Sequence, residues 1–354
     1  MPPSALQAAI RRVASGESLP ASEVTAAFDV IMRGEATPAQ VAALLMGLRV
    51  KGETAEEVAG VARALRAAMV PLPAPHPEQL VDTCGTGGGS VPTFNISTAA
   101  ALLAAGAGVR IAKHGNRSFT SRCGSADVLE ALGVPLEAPV PVMERVLHDA
   151  GIVFMFAPLM HPAMKHVGPV RRELAIPTVM NIVGPLANPA SAGRQVIGVA
   201  DAGRLPLMAA ALAELGAAHA MVVHGEPGLD EISPLGPTRV LEIRGGTVSE
   251  WTIDPRRLGM AADSAAELAG GSPEDNARII SEVLGGRGPA GAVAAVVLNA
   301  AAALYVGAFT PSFDEAVRVA REALSAGVGL VALERLQRAY QQDIPPGGSG
   351  HATA

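Results

Sequence analysis

Gly85-Thr86-Gly87-Gly88-Gly89 stands between the apolar stub Leu80-Val81 and an Ala/Leu run that closes at Gly106. Glycine inside a helix or strand costs roughly 0.5–1 kcal/mol relative to alanine, so four glycines in five positions must form a loop, here between a strand and a helix. In such a loop backbone N–H groups can approach an anion without a Cβ in the way. The helix that follows Asn95-Ile96-Ser97-Thr98 would point its free N–H groups and positive dipole end at the same place. Ser97 and Thr98 stand where caps are expected, and plain capping after a Gly turn would use the same residues. The run lacks the Lys-Ser/Thr ending of a nucleotide P-loop and the spacing of a dinucleotide fingerprint, so any phosphate is held in another way.

The next polar cluster, Lys113-His114-Gly115-Asn116-Arg117, follows an apolar run at 109–112 that reads as a second strand. Open α/β sheets place their ligands at such strand ends. Lys113 offers a point charge for phosphate, Asn116 donates and accepts in one plane, and Arg117 is either a further cation or an ion-pair partner. Thr120, Ser121 and Gly124 make a third turn before a helix that Ser125 would cap and Gly133 would close. Further apolar strands at 152–157, 196–200 and 219–224 alternate with helical segments, which is the mark of a largely parallel sheet. The TRVLEI and TVSEWTI runs around Gly245-Gly246 read as an antiparallel hairpin.

Upstream, start and stop signals give helices over 4–13 and 22–33, then two with capping boxes, Thr37 with Gln40 and Thr54 with Glu57. Pro71, Pro73, Pro75 and Pro77 forbid a helix and mark a linker. The expected division is a helical domain over 1–72, joined by helices from about 162–190, a linker at 73–78, an α/β domain over 79–344, and a Gly/Ser-rich disordered tail at 345–354. A chain of 354 residues suits two domains at roughly 100–200 residues each. No internal repeat is visible.

Net charge of −6 with no basic tract argues against a nucleic-acid surface. The run 290–309 is apolar except for Asn299 and reaches the length of about 20 residues that spans a membrane, yet it is mostly Ala and Gly and reads as a buried core helix. Cys84 and Cys123, the only cysteines, read as reduced thiols that pack rather than react. No secretory signal precedes them, so a cytoplasmic location is expected.

Asp230-Glu231 follows a Gly-Pro-Gly-type loop after the strand ending near His224. Paired carboxylates with phosphate oxygens suit Mg²⁺, and solvated turn carboxylates are the alternative. His161-Pro162-Ala163-Met164 precedes Arg171-Arg172; the planar fork of Arg171 suits an aromatic carboxylate, and His161 can hydrogen-bond or stack on a ring. Lys165, His166 and Arg172 read as a solvent-facing or interdomain surface.

The motifs GTGG, NIST, KHGNR and GSAD, then FAPLMHPAMKHVGPVRREL and GPLANPA, and last VVHGEPGLDEIS, resemble in this order those of the anthranilate phosphoribosyltransferases of tryptophan biosynthesis. Close matches cover 82–133, 156–189 and 222–233, and the element order agrees from about 4 to about 340. The resemblance implies a small helical domain and a larger α/β domain with a mostly parallel sheet, similar to nucleoside phosphorylases. It implies a cytoplasmic enzyme, usually a homodimer joined through its helical domains, that acts on anthranilate and phosphoribosyl pyrophosphate with Mg²⁺. It assigns donor contacts to Gly85, Thr86, Gly87, Gly88, Thr93, Asn95, Ser97, Thr98, Lys113, Asn116, Thr120 and Gly124. Anthranilate contacts fall on Gly85, Asn116, Ala157, Pro158, His161, Arg171 and Pro185. Metal contacts fall on Ser97, Asp230 and Glu231, and catalytic roles on Lys113, Asn116 and Arg171. Gly89 stands where many members carry Asp, and Thr120 where Ser is usual. Ala175, Pro177 and Met180 replace the commoner Gly, Arg and Phe. A pyrimidine nucleoside phosphorylase or a nucleic-acid-binding relative of the fold are the competing readings. KHGNR beside Asp-Glu disfavours the first, and the charge balance the second.

Overall fold

Ser4, Thr37 and Thr54 each accept a bond from the backbone N–H three residues on, while Gln7, Gln40 and Glu57 reach back to the cap N–H. These capping boxes start α1 (Ala5–Ala14), α3 (Pro38–Lys51) and α4 (Ala55–Ala67). α2 (Ala21–Met32) starts from Pro20 with no side-chain cap, one residue before the expected Ser22. Gly52, at φ +89°, stops α3. The structure is a computed structural model that describes residues 4–118 and 122–341. The expectations for Thr120, Ser121 and the tail 345–354 lie outside the described residues.

Glu57 does more than cap. Its fully buried carboxylate accepts from Thr54 N at 2.9 Å, from Leu19 N at 2.9 Å and from Lys51 Nζ at 2.9 Å. One side chain thus ties the α1–α2 connection, the end of α3 and the start of α4 together.

The linker leads into β1 (Val81–Gly85) and α5 (Ile96–Gly106), then β2 (Ile111–Gly115), α6 (Ser125–Ala131), α7 (Val140–Ala150) and β3 (Ile152–Phe156). Short helices α8 (Ala157–Met160) and α9 (Gly168–Leu174) precede β4 (Arg194–Gly198), α10 (Leu205–Glu214) and β5 (His219–Gly225). The hairpin β6 (Thr238–Arg244) and β7 (Thr247–Ile253) follows, then α11 (Pro273–Leu284), α12 (Ala290–Val306), α13 (Phe313–Ser325) and α14 (Val328–Gln341). The sheet order is β3-β2-β1-β4-β5-β6-β7, parallel through β5 and antiparallel beyond. β2 begins and ends later than the expected 109–112, because its ladder with β3 runs from Ile111 to Gly115 and takes Lys113 and His114 into the strand. β4 begins and ends earlier than the expected 196–200, because its ladder with β1 runs from Arg194 to Gly198.

Alternate residues of the strands serve two cores. On one face Met221, Val223 and Val240 pack with α5, α12 and α14. On the other, Ala220, Val222 and Leu241 join Leu212 of α10 and the buried side chains of α1–α4. The helical layer is fastened to the sheet layer by Arg63, bonded to the Glu214 carboxylate at 2.8 Å, and by Arg66 Nε, which donates to Leu186 O at 2.7 Å. Residues 162–187 also pack against the N-terminal helices.

α12 is buried along almost its whole length, as a core helix should be. Among the described residues no helix is long and apolar enough to cross a membrane. Near its end Tyr305 donates to Glu242 at 2.9 Å; Glu242 also receives Trp251 Nε1 at 2.8 Å and lies 2.8 Å from His219 Nε2. This buried cluster pins the antiparallel extension to α12.

Removing the Glu57 carboxylate would leave the Lys51 ammonium, with 8% of its side chain exposed, without its partner. Glu57→Ala should therefore lower unfolding stability by about 3 kcal/mol, in the range for breaking a buried pair. Urea unfolding checks this, and a loss below about 1 kcal/mol would place the pair with ordinary surface bridges.

Candidate active site

The direction of strand addition reverses between β1 and β4, and at that switch point the two strand ends, Gly85 and Gly198, lie side by side. Thr86 N donates to Gly198 O at 2.9 Å, and Ala200 N donates to Thr86 Oγ1 at 3.1 Å. Past β5 the chain turns on a Gly225 N to Leu229 O bond of 3.0 Å and lays Asp230-Glu231 over this seam. A Cβ on Gly85 would stand 2.5 Å from Asp230 Oδ2. Gly87 and Gly88 hold φ of +70° and +81°, which glycine adopts without penalty, and Gly87 N donates to Asp230 Oδ2 at 2.8 Å.

Glu231 reaches the other wall. Ser97 N, in the first turn of α5, donates to Glu231 Oε1 at 3.1 Å. The N-cap of α5 is Asn95, not Ser97 or Thr98, and it makes no side-chain cap bond. Its amide is instead held by Cys123 O at 3.2 Å and by Asn276 Nδ2 at 2.9 Å, and Ser97 and Thr98 fall within the helix's first turn. The Thr98 hydroxyl is buried without a hydrogen-bond partner among the described residues. Gly124, rather than Ser125, caps α6, because the Asp127 carboxylate accepts from Gly124 N at 2.8 Å.

Lys113 lies under the glycine loop, 3% exposed. Its Nζ bonds Thr83 O, and lies 3.3 Å from Ser97 Oγ and 3.4 Å from Thr83 Oγ1. Burial lowers the Lys113 pKa, while Asp82, Cys84 and Glu231 act in the opposite direction. Burial and the neighbouring Asp230 push Glu231 up to about 8, against Lys113 and Ser97, and burial raises Asp230 too. A carboxylate pair so disfavoured is ready for a cation. Its donors are hard oxygens: two carboxylates beside the Ser97 hydroxyl. Among the described residues no group of three or more His, Cys, Asp and Glu could hold a metal ion, and Mg²⁺ is commonly held by one or two carboxylates with waters and phosphate oxygens completing its shell.

The next residue of β2 turns the other way. The His114 ring centroid lies 4.9 Å from that of His161, and both rings are buried. Among the described residues neither His161 nitrogen, nor His114 Nε2, has a hydrogen-bond partner, and the Ala187 backbone beside His161 is not in bonding geometry. Burial pushes His161 down to about 4; burial, then His161 and Lys113, push His114 down to about 3. Pro185 is buried in the turn Gly184–Leu186, and Ala157 and Pro158 open α8 at the end of β3. Arg171 is half-buried in the last turn of α9, with no ion-pair or hydrogen-bond partner among the described residues, and burial lowers its pKa. Ala175 closes α9 at φ +51°, a conformation glycine would hold without strain. His166 packs on Gly34 of the helical layer.

Asn116 spends its Oδ1 on Arg117 N at 2.8 Å, and Arg117 is an ion-pair partner, 2.8 Å from both Asp127 and Glu130. Thr93 makes no bond to the Lys113–Glu231 cluster. The sequence reading passed over Asp82 and Asn188. Fully buried Asp82 accepts from His114 N at 3.1 Å and from Asn188 Nδ2 at 2.8 Å, and Asn188 Nδ2 also reaches Ala112 O at 2.8 Å. The signal was an acidic residue inside an apolar strand, which a buried position tolerates only when bonded.

Comparison with known proteins follows the same plan. Residues 7–69 match the glycosyl transferase family, helical bundle domain, and residues 77–330 its a/b domain. The chain is 50% identical to the anthranilate phosphoribosyltransferase of Rubrobacter xylanophilus over 94% of its length and 97% of the relative's. It is 49% identical to that of Anaeromyxobacter sp., with 94% and 97% covered. Among solved structures, anthranilate phosphoribosyltransferase from Thermus thermophilus superposes with a TM-score of 0.89 at 43% identity, covering 94% of this chain and 99% of that one. The Saccharomyces cerevisiae enzyme in complex with PRPP and Mg gives 0.85 at 28% identity, covering 95% and 98%.

Both buried imidazoles are neutral near pH 7. Because their folded pKa values lie below the ordinary 6.5, the stability they contribute is complete above pH 6.5 and is lost as pH falls toward 4. Histidine NMR of the ligand-free protein should show neither ring titrating between pH 5 and 8. A midpoint near 6.5 for either ring would mean that it is solvated.

Proposed function

The chain belongs to the anthranilate phosphoribosyltransferase family, and from that membership we propose how its own residues carry out the reaction. The enzyme transfers the phosphoribosyl group of 5-phosphoribosyl 1-pyrophosphate to anthranilate, with Mg²⁺, in tryptophan biosynthesis. The observation that supports our residue assignment best is the seam itself: glycine-loop amides, the start of α5, Lys113 and two destabilised carboxylates converge at the sheet's switch point.

The donor's diphosphate lies over Gly85–Gly88 and the N-terminal turn of α5. Thr93, Asn95, Ser97, Thr98, Asn116, Thr120 and Gly124 line its path. Asp230, Glu231 and Ser97 hold the Mg²⁺, which when bound neutralises pyrophosphate charge. Lys113, fixed between Thr83 and Ser97, sets a buried positive charge under the same oxygens. On the acceptor side, half-buried and unpaired Arg171 takes the anthranilate carboxylate, with the ring among Ala157, Pro158, neutral His161 and Pro185. The amine nitrogen attacks ribose C1, the bond from C1 to the pyrophosphate oxygen breaks, and the nitrogen loses one proton to solvent. An aryl amine is neutral at pH 7, so orientation by Asn116 and Arg171 does more than a general base would.

The division into 1–72, 73–78 and 79–344, with 162–190 packed on the helical part, is the one we propose for closure over the substrates. The α3 face that carries Val50, 79% exposed, is our proposed homodimer surface, and the cytoplasm our proposed location. The absence of a side chain at Gly89 limits tight metal holding to Asp230, Glu231 and Ser97.

Anthranilate fluorescence tests the activity: the signal should fall only when anthranilate, phosphoribosyl pyrophosphate and Mg²⁺ are all present. A constant signal with all three would refute it. For the acceptor site, Arg171→Ala should reduce kcat/KM for anthranilate about 10- to 150-fold, the equivalent of roughly 1.5–3 kcal/mol for a bond to a charged group. Donor KM should change little; an unchanged anthranilate kcat/KM in the folded variant would remove Arg171 from the site.

A further inference from the structure

Apart from Tyr305 near its end, α12 is apolar except at Asn299, and that buried amide bonds a single residue of the loop that carries Asp230 and Glu231. Asn299 Oδ1 accepts from Ile232 N at 2.9 Å, and Nδ2 donates to Ile232 O at 3.0 Å. The second Nδ2 hydrogen goes to Ala295 O at 2.9 Å, one turn back in the same helix, which fixes the amide's rotation. Ile232 is itself fully buried. An amide is the side chain that can read an adjacent N–H and C=O together at this reach. Asp lacks the donor, and an apolar residue of the same shape leaves both groups unpaired.

Ile232 N belongs to the peptide unit that carries the Glu231 carbonyl, so fixing it fixes the plane from which the Glu231 side chain departs. That side chain then meets Ser97 N at 3.1 Å, across the narrow cavity that Asn299, Thr83, Cys84 and Ser97 also line. The rest of α12 is filled with Ala, Val and Leu, so packing alone calls for no amide here. A buried amide costs desolvation unless its bonds are made, and here they are made to the loop.

We propose that Asn299 is a positioning residue for Glu231: it clamps Ile232 so that the carboxylate faces Ser97 and the cation of the donor's diphosphate. The proposal rests on our reading of Asp230 and Glu231 as the metal end of the site. The outer residues that orient ligands are typically worth 10- to 100-fold in metal affinity.

The test measures Mn²⁺ binding in the presence of inorganic pyrophosphate, by loss of the free-ion EPR signal, on the full chain. Asn299→Ala, in a helix already rich in alanine, should weaken Mn²⁺ binding by about 10- to 100-fold. The Mg²⁺ concentration for half-maximal activity should rise in step, with the anthranilate KM unchanged. Asn299→Asp keeps an acceptor for Ile232 N and should fall between the parent and the alanine variant; it decides the question by the same measurement if Asn299→Ala does not fold. Glu231→Gln calibrates the site. If Glu231→Gln loses the metal while the folded Asn299 variant binds it like the parent, the positioning role is wrong and the metal reading stands. If Glu231→Gln also binds like the parent, both are wrong.

Discussion

Asp230 lies so close to the end of β4 that this strand cannot end in a residue with a side chain, and its carboxylate presses on the end of β1. A Cβ on Gly198 would stand 1.6 Å from Asp230 O, and one on Gly85 2.5 Å from Asp230 Oδ2. Backbone against backbone at that distance cannot be relieved by a rotamer change. The approach brings the acidic loop of β5 onto the glycine loop of β1, although 143 residues separate Gly87 from Asp230. The sheet's parallel order supplies the rest: β1 and β4 are neighbours only because the chain reverses its direction of winding there. Fold and site are therefore one constraint, since loosening the seam would separate Asp230 and Glu231 from the loop they face.

β2 couples the two halves of the site by strand alternation alone. Lys113 points toward Thr83 and Ser97, while His114 points toward His161. Between them the backbone is held by Asp82 and Asn188, and Asn188 Oδ1 accepts from Ala190 N at 2.9 Å. A shift of this strand would thus be felt by the Lys113 cluster, the paired imidazoles and the turn that carries Pro185. The electrostatics follow the same geometry. Burial favours the neutral forms of Asp82, Lys113, Glu231, His114 and His161. Lys113 opposes that effect at Asp82 and Glu231 and adds to it at His114, so the same cation favours charge on the carboxylates and neutrality on the ring.

Much of this was legible because local chemistry and the global fold agree. The glycine run must be a loop, Thr37 and Thr54 must start helices, and Gly245-Gly246 must turn a hairpin, whatever surrounds them. The misses have tertiary causes. Lys113 and His114 look like loop residues by polarity, yet the ladder with β3 makes them strand. Ser97 and Thr98 look like caps, yet Asn95 takes that place because Cys123 and Asn276, 28 and 181 residues away, hold its amide. Asp82 and Asn188 acquire their roles from each other across 106 residues, which no local pattern displays.

Gly89 shows the same logic at a position where the family resemblance implies a carboxylate. Its φ lies outside the left-handed region that demands glycine, so the backbone does not forbid a side chain. A Cβ there would stand 3.2 Å from Asp230 Oδ1 and 3.2 Å from Gly228 O, close but not closed. What a carboxylate would meet is charge. Asp230 already raises the cost of ionising Glu231, with Lys113 as the opposing cation, and burial raises the cost for Asp230 itself. A third carboxylate would deepen that repulsion and could be held ionised only by a further cation. Glycine at this position adds no further negative charge beside Asp230 and Glu231.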